Sequence, residues 1–194
     1  MEDKVKLSVL GFSFNQNKTG AYGLVLAEDQ GVRRLMVVVG TPEAQSIAFQ
    51  LQGTPPPRPL THDLLCNILD KFGISVVEVN IYKYNDGVFY SRITIKQGLY
   101  ITEIESRTSD AVGIALRTNA PIYTLEQIMQ ELGVVFDEVP SEKDPHSNKE
   151  LDIPLDYSLL ERRELEIMLD NAIASEDYEL ASILRDELKR RQDA

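Results

Sequence analysis

The chain has 194 residues, of which 43% are apolar, and a net charge of −11 at pH 7. Its one cysteine, Cys66, excludes an intrachain disulfide and a Cys-rich zinc site, and no apolar run approaches the roughly 20 residues that cross a bilayer. The acidic charge disfavours a broad nucleic-acid-binding surface. With a charged rather than apolar start, the composition predicts a cytoplasmic protein without a membrane span.

The N-terminal part predicts three strands. Apolar and polar residues alternate at 5–9, which is typical of a strand. Turn formers follow at 15–20, and residues 21–28 and 32–39 then predict two further strands joined by a tight turn. The run at 35–39 is apolar throughout, so we expect that strand to be central and covered on both faces.

Two helices are predicted next, on either side of a proline-rich segment. The first runs over 41–51, with Thr41 as a possible cap and Pro42 in its first turn. Prolines keep residues 54–59 extended, and a second helix over 62–72 follows, capped by Thr61.

Asn85-Asp86-Gly87 predicts a β-hairpin between strands at 74–84 and 88–96. The apolar pattern also predicts its register, because one face must be apolar. The expected pairs are Val77–Ile95 and Val79–Ile93 on the apolar face, and Glu78–Thr94, Asn80–Arg92 and Tyr82–Tyr90 on the other.

The remaining pattern completes the predicted domain. Residues 99–104 predict a third strand of the same sheet, and Ser109 can cap a short helix over 110–118. Residues 121–123 are expected to be extended, and a capping box that begins at Thr124 opens a helix to 132. The fold class is therefore α+β, with a mixed, mostly antiparallel sheet and several short helices.

The C-terminal part predicts a linker and an antiparallel α-helical hairpin. Residues 140–156 are polar and contain three prolines, whereas 159–174 and 178–192 have helical apolar periodicity. We therefore divide the chain into a domain at 1–139, a linker at 140–156 and a hairpin at 157–194.

The second predicted helix carries the sequence D-Y-E-L-A-S-I-L-R-D-E-L from Asp177 to Leu188. This stretch resembles the UVR motif of the UvrB and UvrC repair proteins, and the resemblance implies antiparallel pairing with another copy of the motif. Two short helices bury little apolar surface alone, so we expect a partner, self-association as a homodimer or larger, or docking on the chain's own domain. The predicted partner-binding residues are Leu165, Leu169, Tyr178, Ala181, Leu184, Arg185 and Leu188.

The segment at 57–65 places Arg58 and His62 at the start of a helix. An arginine fork and free helical N–H groups favour an anion, and a histidine can carry protons near neutral pH. The alternative is an ordinary helix cap beside a surface histidine.

A second segment, at 104–116, crowds Glu105, Arg107 and Asp110 at a strand-to-helix turn. Two carboxylates and a guanidinium there suit a metal ion or a phosphate. The alternative is an arginine clamp between two carboxylates that only orders the turn.

The two segments, R-P-L-T-H-D-L-L at 58–65 and E-S-R-T-S-D-A-V-G-I-A at 105–115, together resemble the bifunctional nuclease domain. The resemblance implies DNase and RNase activity, although Thr108 stands where that family usually has proline and Glu105 where aspartate is common. It leads to a metal-assisted hypothesis for DNA or RNA hydrolysis. The catalytic residues would be His62, Glu105 and Asp110, the phosphate ligands Arg58 and Arg107, and the Mg²⁺ or Mn²⁺ ligands Glu105 and Asp110 with Glu43.

Two other function classes remain open at this point. One is a non-catalytic adaptor that binds a protein partner through the hairpin, which the acidic charge favours. The other is a small domain that binds an anionic ligand with its helix N-termini and Arg58.

Overall fold

The structure is a computed structural model that describes residues 3–13, 21–135, 157 and 160–192. The turn predicted at 15–20 and the linker predicted at 140–156 lie outside these residues. The strands are β1 (Lys4–Ser13), β2 (Ala21–Glu28), β3 (Arg33–Gly40), β4 (Ser75–Asn85), β5 (Val88–Gln97), β6 (Tyr100–Arg107), β7 (Ile122–Leu125) and β8 (Val134–Val135). The helices are α1 (Thr41–Leu51), α2 (Thr61–Lys71), α3 (Thr108–Thr118), α4 (Glu126–Leu132), α5 (Arg162–Ala174) and α6 (Tyr178–Gln192).

All of these strands belong to one sheet, in the order β6-β5-β4-β7-β1-β2-β3-β8. Neighbouring strands are antiparallel except β4 and β7, which are parallel. The short strand β7 comes late in the chain but lies between β4 and β1, paired with both. The mixed, mostly antiparallel sheet of the predicted α+β fold is thus confirmed, and the segment predicted only as extended is an inserted strand.

Helix α3 occupies the centre of the helical layer. It packs against α1, α2, β4 and β5, and its residues Ala111, Val112 and Ala115 share one hydrophobic core with Val79 and Ile81 of β4. Burial of this apolar side is what holds the helices on the sheet. Among the described residues, no helix is long and apolar enough to cross a membrane.

Strand β3 differs from its predicted environment. Val37 and Val39 are buried, whereas Met36 is exposed and Val38 is 74% exposed. The expectation of a strand covered on both faces is wrong, because β3 is second from one edge of the sheet and its alternate residues point away from the helices. Instead, the neighbouring strand β2 is buried on both faces, since four consecutive residues in it are buried.

The β4–β5 hairpin forms as predicted, but two irregularities shift parts of its register. Val77 is an extra residue in β4, so Ile95 pairs with Val76 instead. Tyr82 is a second extra residue, so Tyr90 pairs with Lys83. Each behaves as a β-bulge, which adds a residue without a partner opposite. Two predicted pairs are therefore wrong, and three are confirmed, namely Val79–Ile93, Glu78–Thr94 and Asn80–Arg92.

The caps of α1 to α4 lie one or two residues from the predicted positions. At α2, the cap is Leu60, whose N–H donates to the Asp63 side chain at 2.7 Å. His62 is therefore the second residue of α2, whereas the predicted cap at Thr61 made it the first. The observed caps of the four helices are Gly40, Leu60, Arg107 and Leu125, where the sequence predicted Thr41, Thr61, Ser109 and Thr124.

The C-terminal helices α5 and α6 form the predicted hairpin, and its apolar side is already covered. Met168 and Ala172 of α5 line a cavity of about 380 Å³ together with residues 53–55 of the α1–α2 connection. The hairpin therefore packs beside that connection. Its buried residues, which join the hydrophobic core, are Leu165, Met168, Ala172, Ala181 and Leu184.

A cluster of charges ties β2 and β3 to α4. Arg33 donates from Nε and Nη2 to Glu28 at 2.9 and 2.6 Å, and from Nη1 to Glu126 at 2.8 Å. The pKa of both carboxyls lies below the ordinary value of 4.5, mainly because of these hydrogen bonds from Arg33. The charged forms of Glu28 and Glu126 are thus favoured in the folded state.

This cluster predicts how stability depends on pH. A carboxyl whose pKa is lower in the folded state stabilises the protein above its unfolded pKa, and the effect is lost as pH falls through the folded pKa. We expect the Glu28→Gln/Glu126→Gln variant to be less stable than the wild type at neutral pH, with a difference that disappears below pH 4.5. Urea unfolding of both proteins from about pH 7 to about pH 2 measures this; a difference that stays constant with pH would contradict it.

Candidate active site

Three helices meet at the His62 side chain. Its Nδ1 lies 2.8 Å from Oγ of Ser46 in α1, and its Nε2 lies 3.2 Å from Oδ1 of Asp110 in α3. The ring is buried, so it is not the surface histidine of the alternative interpretation. Both ring nitrogens have a polar partner, and the imidazole joins the two segments that the sequence singled out.

Gly113, one turn after Asp110, allows this close packing. A Cβ atom at Gly113 would lie 3.1 Å from both Cδ2 and Nε2 of His62, which is closer than carbon atoms normally pack. The missing side chain lets the imidazole lie against the backbone of α3. The ring therefore has little room to turn.

Arg107, the cap of α3, joins two carboxylates. Its Nε and Nη2 donate to Asp110 at 2.8 and 3.1 Å, and its Nη1 lies 2.8 Å from Oε1 of Glu43 in α1. The Asp110 carboxylate, and secondly that of Glu43, raise the pKa of Arg107 above its ordinary value. The Arg107 side chain is nevertheless 67% exposed, so the cation is open to solvent beside Asp110.

A second arginine, Arg117, lies behind His62 and is only 5% exposed. Its Nε donates to Oδ1 of Asp63 at 2.5 Å, and its Nη1 donates to the carbonyl of Gly113 at 3.0 Å. Its Nη2 donates to the carbonyl and to Oγ of Ser46, at 3.0 and 3.1 Å. Arg117 thus links α1, α2 and α3 around the histidine.

The polar residues open into a cleft of about 790 Å³ between α1, α2, α3 and the sheet. A space of this size accommodates a small ligand or part of a larger one. His62, Asp110, Arg107 and Glu43 lie on its wall. The rest of the lining is mostly apolar and includes Pro42, Pro59, Leu60, Leu65, Ile93, Ile104 and Ile114.

Glu105 does not join this group, although the sequence predicted it as a catalytic residue and metal ligand. Its neighbours in β6, Ile104 and Ser106, line the cleft, and successive side chains of a strand point to opposite faces. Glu105 accepts a hydrogen bond from the Tyr82 hydroxyl at 2.6 Å, away from His62. The expected pairing of Glu105 with Asp110 is therefore not found.

Arg58 lies outside the cleft as well. Its side chain is exposed, and its neighbours Pro59 and Leu60 line the cleft while it does not. Arg58 therefore remains a candidate for binding a long substrate beyond the cleft, and Arg107 is the arginine that faces Asp110.

The carboxylates do not form a ready metal site. Within the described ranges, no group of three or more His, Cys, Asp and Glu side chains could hold a metal ion. Glu43 and Asp110 both bind the Arg107 guanidinium, so a divalent cation between them would have to displace another cation. The residues as arranged do not fit a resident Mg²⁺ or Mn²⁺ ion.

Ser46, Asp63 and Arg117 had no predicted role in the site. Ser46 is a buried polar residue among apolar neighbours of α1, which a pattern of hydrophobicity does not distinguish from core. Spacing offered a weak signal for the other two, because Asp63 follows His62 directly and Arg117 lies two turns after Asp110 in α3.

The hairpin residues predicted to bind a partner fall into two groups. Tyr178 and Arg185 are exposed, Tyr178 to 69%. The remaining five pack inside the structure, because they form the inner side of the hairpin. These are Leu165, Ala181 and Leu184, which are buried, and Leu169 and Leu188, which are partly buried against the core.

The contact between Gly113 and His62 predicts a coupling between the two positions. Alanine is favoured over glycine within a helix by about 1 kcal/mol, yet Gly113→Ala would press on the ring. We expect Gly113→Ala to lower the free energy of unfolding in the wild type but to raise it, by up to about 1 kcal/mol, in a His62→Ala background. Urea unfolding of the four proteins measures both effects; the same sign in both backgrounds would show that the ring does not require glycine.

Comparison with known proteins places these residues in a family. Residues 24–137 match the model of the bifunctional nuclease domain, and residues 161–193 match that of the UvrB/uvrC motif. The chain is 38% identical over 121 residues to an uncharacterized protein of Mycobacterium tuberculosis (strain ATCC 25618 / H37Rv), which covers 62% of this chain and 70% of the relative.

More distant relatives occur in rice. The chain is 27% identical over 179 residues to the protein called Bifunctional nuclease of Oryza minuta and to Bifunctional nuclease 1 of Oryza sativa subsp. japonica, which covers 86% of this chain and 54% of each relative. It therefore spans about half the length of the rice proteins. The matched range 24–137 is more than half of the chain and includes all of the polar residues of the cleft. The chain belongs to the bifunctional nuclease domain family and ends in a UvrB/uvrC motif.

Proposed function

We propose that the chain hydrolyses phosphodiester bonds of DNA or RNA in the cleft beside His62. The observation that carries this proposal is the contact of His62, Asp110 and Arg107 on one cleft wall, which supplies a proton acceptor next to a cation. The family relationship and the names of the rice relatives support the choice of a phosphodiester as the substrate.

Arg107 is the phosphate-binding group in this proposal. Guanidinium groups bind phosphate oxygens in pairs of parallel hydrogen bonds, and an exposed ion pair changes partners at little cost. A phosphate that enters the cleft competes with Asp110 and Glu43 for Arg107. Binding of the substrate would thereby release the Asp110 carboxylate next to the phosphorus atom.

Asp110 is the general base. Its carboxylate, released by Arg107, accepts a proton from a water molecule, and the resulting hydroxide attacks the phosphorus. The bond to the leaving oxygen breaks, and that oxygen takes a proton from solvent. Arg107 stabilises the negative charge that develops on the other phosphate oxygens. His62, which contacts Oδ1 of Asp110, orients this carboxylate, and the proton that Asp110 has accepted leaves to solvent through the open cleft.

The walls and the charge of the protein limit the substrate. Apolar residues such as Leu65 and Ile104 can contact a sugar or a base, and the exposed Arg58 extends the cationic contact beyond the cleft. With a net charge of −11, however, the chain repels a long polyanion overall. We therefore expect short or single-stranded substrates and weak binding that decreases with salt.

The role of Mg²⁺ or Mn²⁺ stays a separate prediction. The arrangement of Glu43, Asp110 and Arg107 favours hydrolysis without a resident ion, and none of the steps above passes through one. Activity that survives EDTA would agree with this arrangement, whereas activity restored only by Mg²⁺ or Mn²⁺ would support the metal-assisted hypothesis.

A nuclease assay tests the proposal. Purified wild type would be incubated at low salt with single-stranded DNA, duplex DNA and RNA, each with Mg²⁺, Mn²⁺ or EDTA. We expect Asp110→Asn to lower the cleavage rate by about 10²- to 10⁴-fold, since it removes the base but keeps the shape of the side chain. Arg58→Ala should raise KM and leave kcat nearly unchanged.

Two variants of β6 control this experiment. Glu105→Gln and Glu103→Gln both remove a carboxylate that contacts Arg92 rather than His62. Both should cleave like the wild type. Equal cleavage by wild type and Asp110→Asn would indicate a contaminating nuclease. Loss of activity in Glu105→Gln alone would show that Glu105 is catalytic, as the sequence predicted.

A second candidate function rests on the hairpin. The outer side of α5 and α6 exposes Tyr178, Ile167, Ile173 and Ile183, and exposed apolar side chains of this kind commonly mark protein contacts. We propose that this side pairs with another protein, in the first instance with a second copy of the chain. The proposal agrees with the UvrB/uvrC motif at 161–193.

Light scattering after size-exclusion chromatography tests the pairing. We expect the wild type to be a dimer and the Tyr178→Ala/Ile183→Ser variant to be a monomer with unchanged circular dichroism, because both side chains are exposed. Lys189→Ala, at the end of α6, is the matched control and should remain a dimer. A wild type that is monomeric at all concentrations would contradict self-pairing.

A further inference from the structure

We propose that Ser46, Arg117 and Asp63 are positioning residues that hold neutral His62 with its ring proton on Nε2, directed at Asp110. Only Ser46 of the three lines the cleft, and none has a role in the hydrolysis described above. The effect on catalysis rests on the proposed function, but the position of the proton does not and can be measured directly.

The first link is the buried ion pair. A guanidinium has only donors, so each polar contact of Arg117 must be with an acceptor. Its acceptors are Oδ1 of Asp63, the carbonyl of Gly113, and both oxygens of Ser46. Asp63 is itself held by the N–H of Leu60. Arg117 is therefore fixed from several directions, and its Nη2 always presents a proton to Ser46.

The second link is the Ser46 hydroxyl. Its oxygen already accepts a hydrogen bond from Arg117 at 3.1 Å, so its own proton is free to point elsewhere. Nδ1 of His62 lies 2.8 Å away and can accept that proton. A hydroxyl that donates to Nδ1 requires a bare nitrogen there, which places the proton of the neutral ring on Nε2.

The third link is the contact with Asp110. With the proton on Nε2, the ring donates to Oδ1 of Asp110 across 3.2 Å. The other neutral tautomer would place two acceptors against each other, the Nε2 lone pair and a carboxylate oxygen. The hydrogen bond of one ring nitrogen sets the proton of the other. Asp110 is thus oriented from α1 and α2 as well as from its own helix.

A purely structural role for the same residues makes a different prediction. If Arg117 and Ser46 only stabilised the packing of the helices, removal of the Ser46 hydroxyl would lower stability without changing the histidine. Ser91 offers a matched comparison, because its hydroxyl is also buried and hydrogen-bonded to a side chain, Oγ1 of Thr108 at 2.8 Å. Within the part of the chain that the structure describes, Ser91 makes no hydrogen bond to His62, so loss of its hydroxyl should affect stability alone.

The experiment is nitrogen-15 NMR of the histidine ring. His146 is the second of two histidines in the chain, and a His146→Gln background leaves His62 as the sole signal. We expect the wild-type ring to carry its proton on Nε2 at neutral pH. Ser46→Ala should shift the ring toward a mixture of tautomers, and Ser91→Ala should not. Asp63→Asn, which weakens the hold on Arg117, should give an intermediate shift.

Kinetics add a second readout. If the wild type is an active nuclease, Ser46→Ala should lower kcat by roughly 10- to 100-fold, with KM unchanged, because misplacing a catalytic group has an effect of about this size. A wild-type proton on Nδ1, or a Ser46→Ala spectrum identical to that of the wild type, would overturn the proposal. A wild type without nuclease activity but with the expected spectra would refute the proposed function and leave the positioning residues intact.

Discussion

The guanidinium of Arg117 is almost completely removed from water, and the arrangement of three helices depends on how its charge is satisfied. Burial of an ion costs several kcal/mol unless its hydrogen bonds are made. The acceptors here come from Ser46 in α1, Asp63 in α2 and Gly113 in α3, so the charge is satisfied only when all three helices are in place. Glu43, His62 and Asp110 belong to the same helices, and the shape of the cleft follows from this contact.

The two arginines of α3 and its cap differ in what their surroundings permit. Arg117 is enclosed, and its departure would leave the Asp63 carboxylate without its charge partner. Arg107 binds two carboxylates but remains open to solvent, where an ion pair contributes little and exchanges readily. A rigid inner charge and an exchangeable outer one stand on either side of the same histidine. In the proposed hydrolysis, this separation would let Arg107 bind a phosphate while the histidine stays in place.

Much of the architecture follows from local patterns in the sequence. Turn residues and alternation predicted the β4–β5 hairpin, and the two motif segments singled out His62 and Asp110, whose contact only the fold reveals. The errors arise where a single inserted residue sets the register of a strand pair, or where alternation sets the face of the sheet to which a side chain points. Tyr82 shifts the register as a bulge, and Glu105 points away because Ile104 and Ser106 take the cleft side of β6. Ser46 and Arg117 act through contacts between helices, which no local pattern encodes.

The place of β7 has a consequence for the order in which the fold assembles. Among the described strands, β1–β3 with β8 and β4–β6 are joined within the sheet only through β7. Apart from β8, which pairs with the distant β3, each group can form from neighbouring hairpins, with contacts that are short in sequence. Their union has to await residues 122–125, which pair with β1 more than a hundred positions earlier. Contacts of such separation slow folding, because a long loop must close before they form. On a ribosome, the two halves would emerge as separate sheets and become one domain only after β7 has been made.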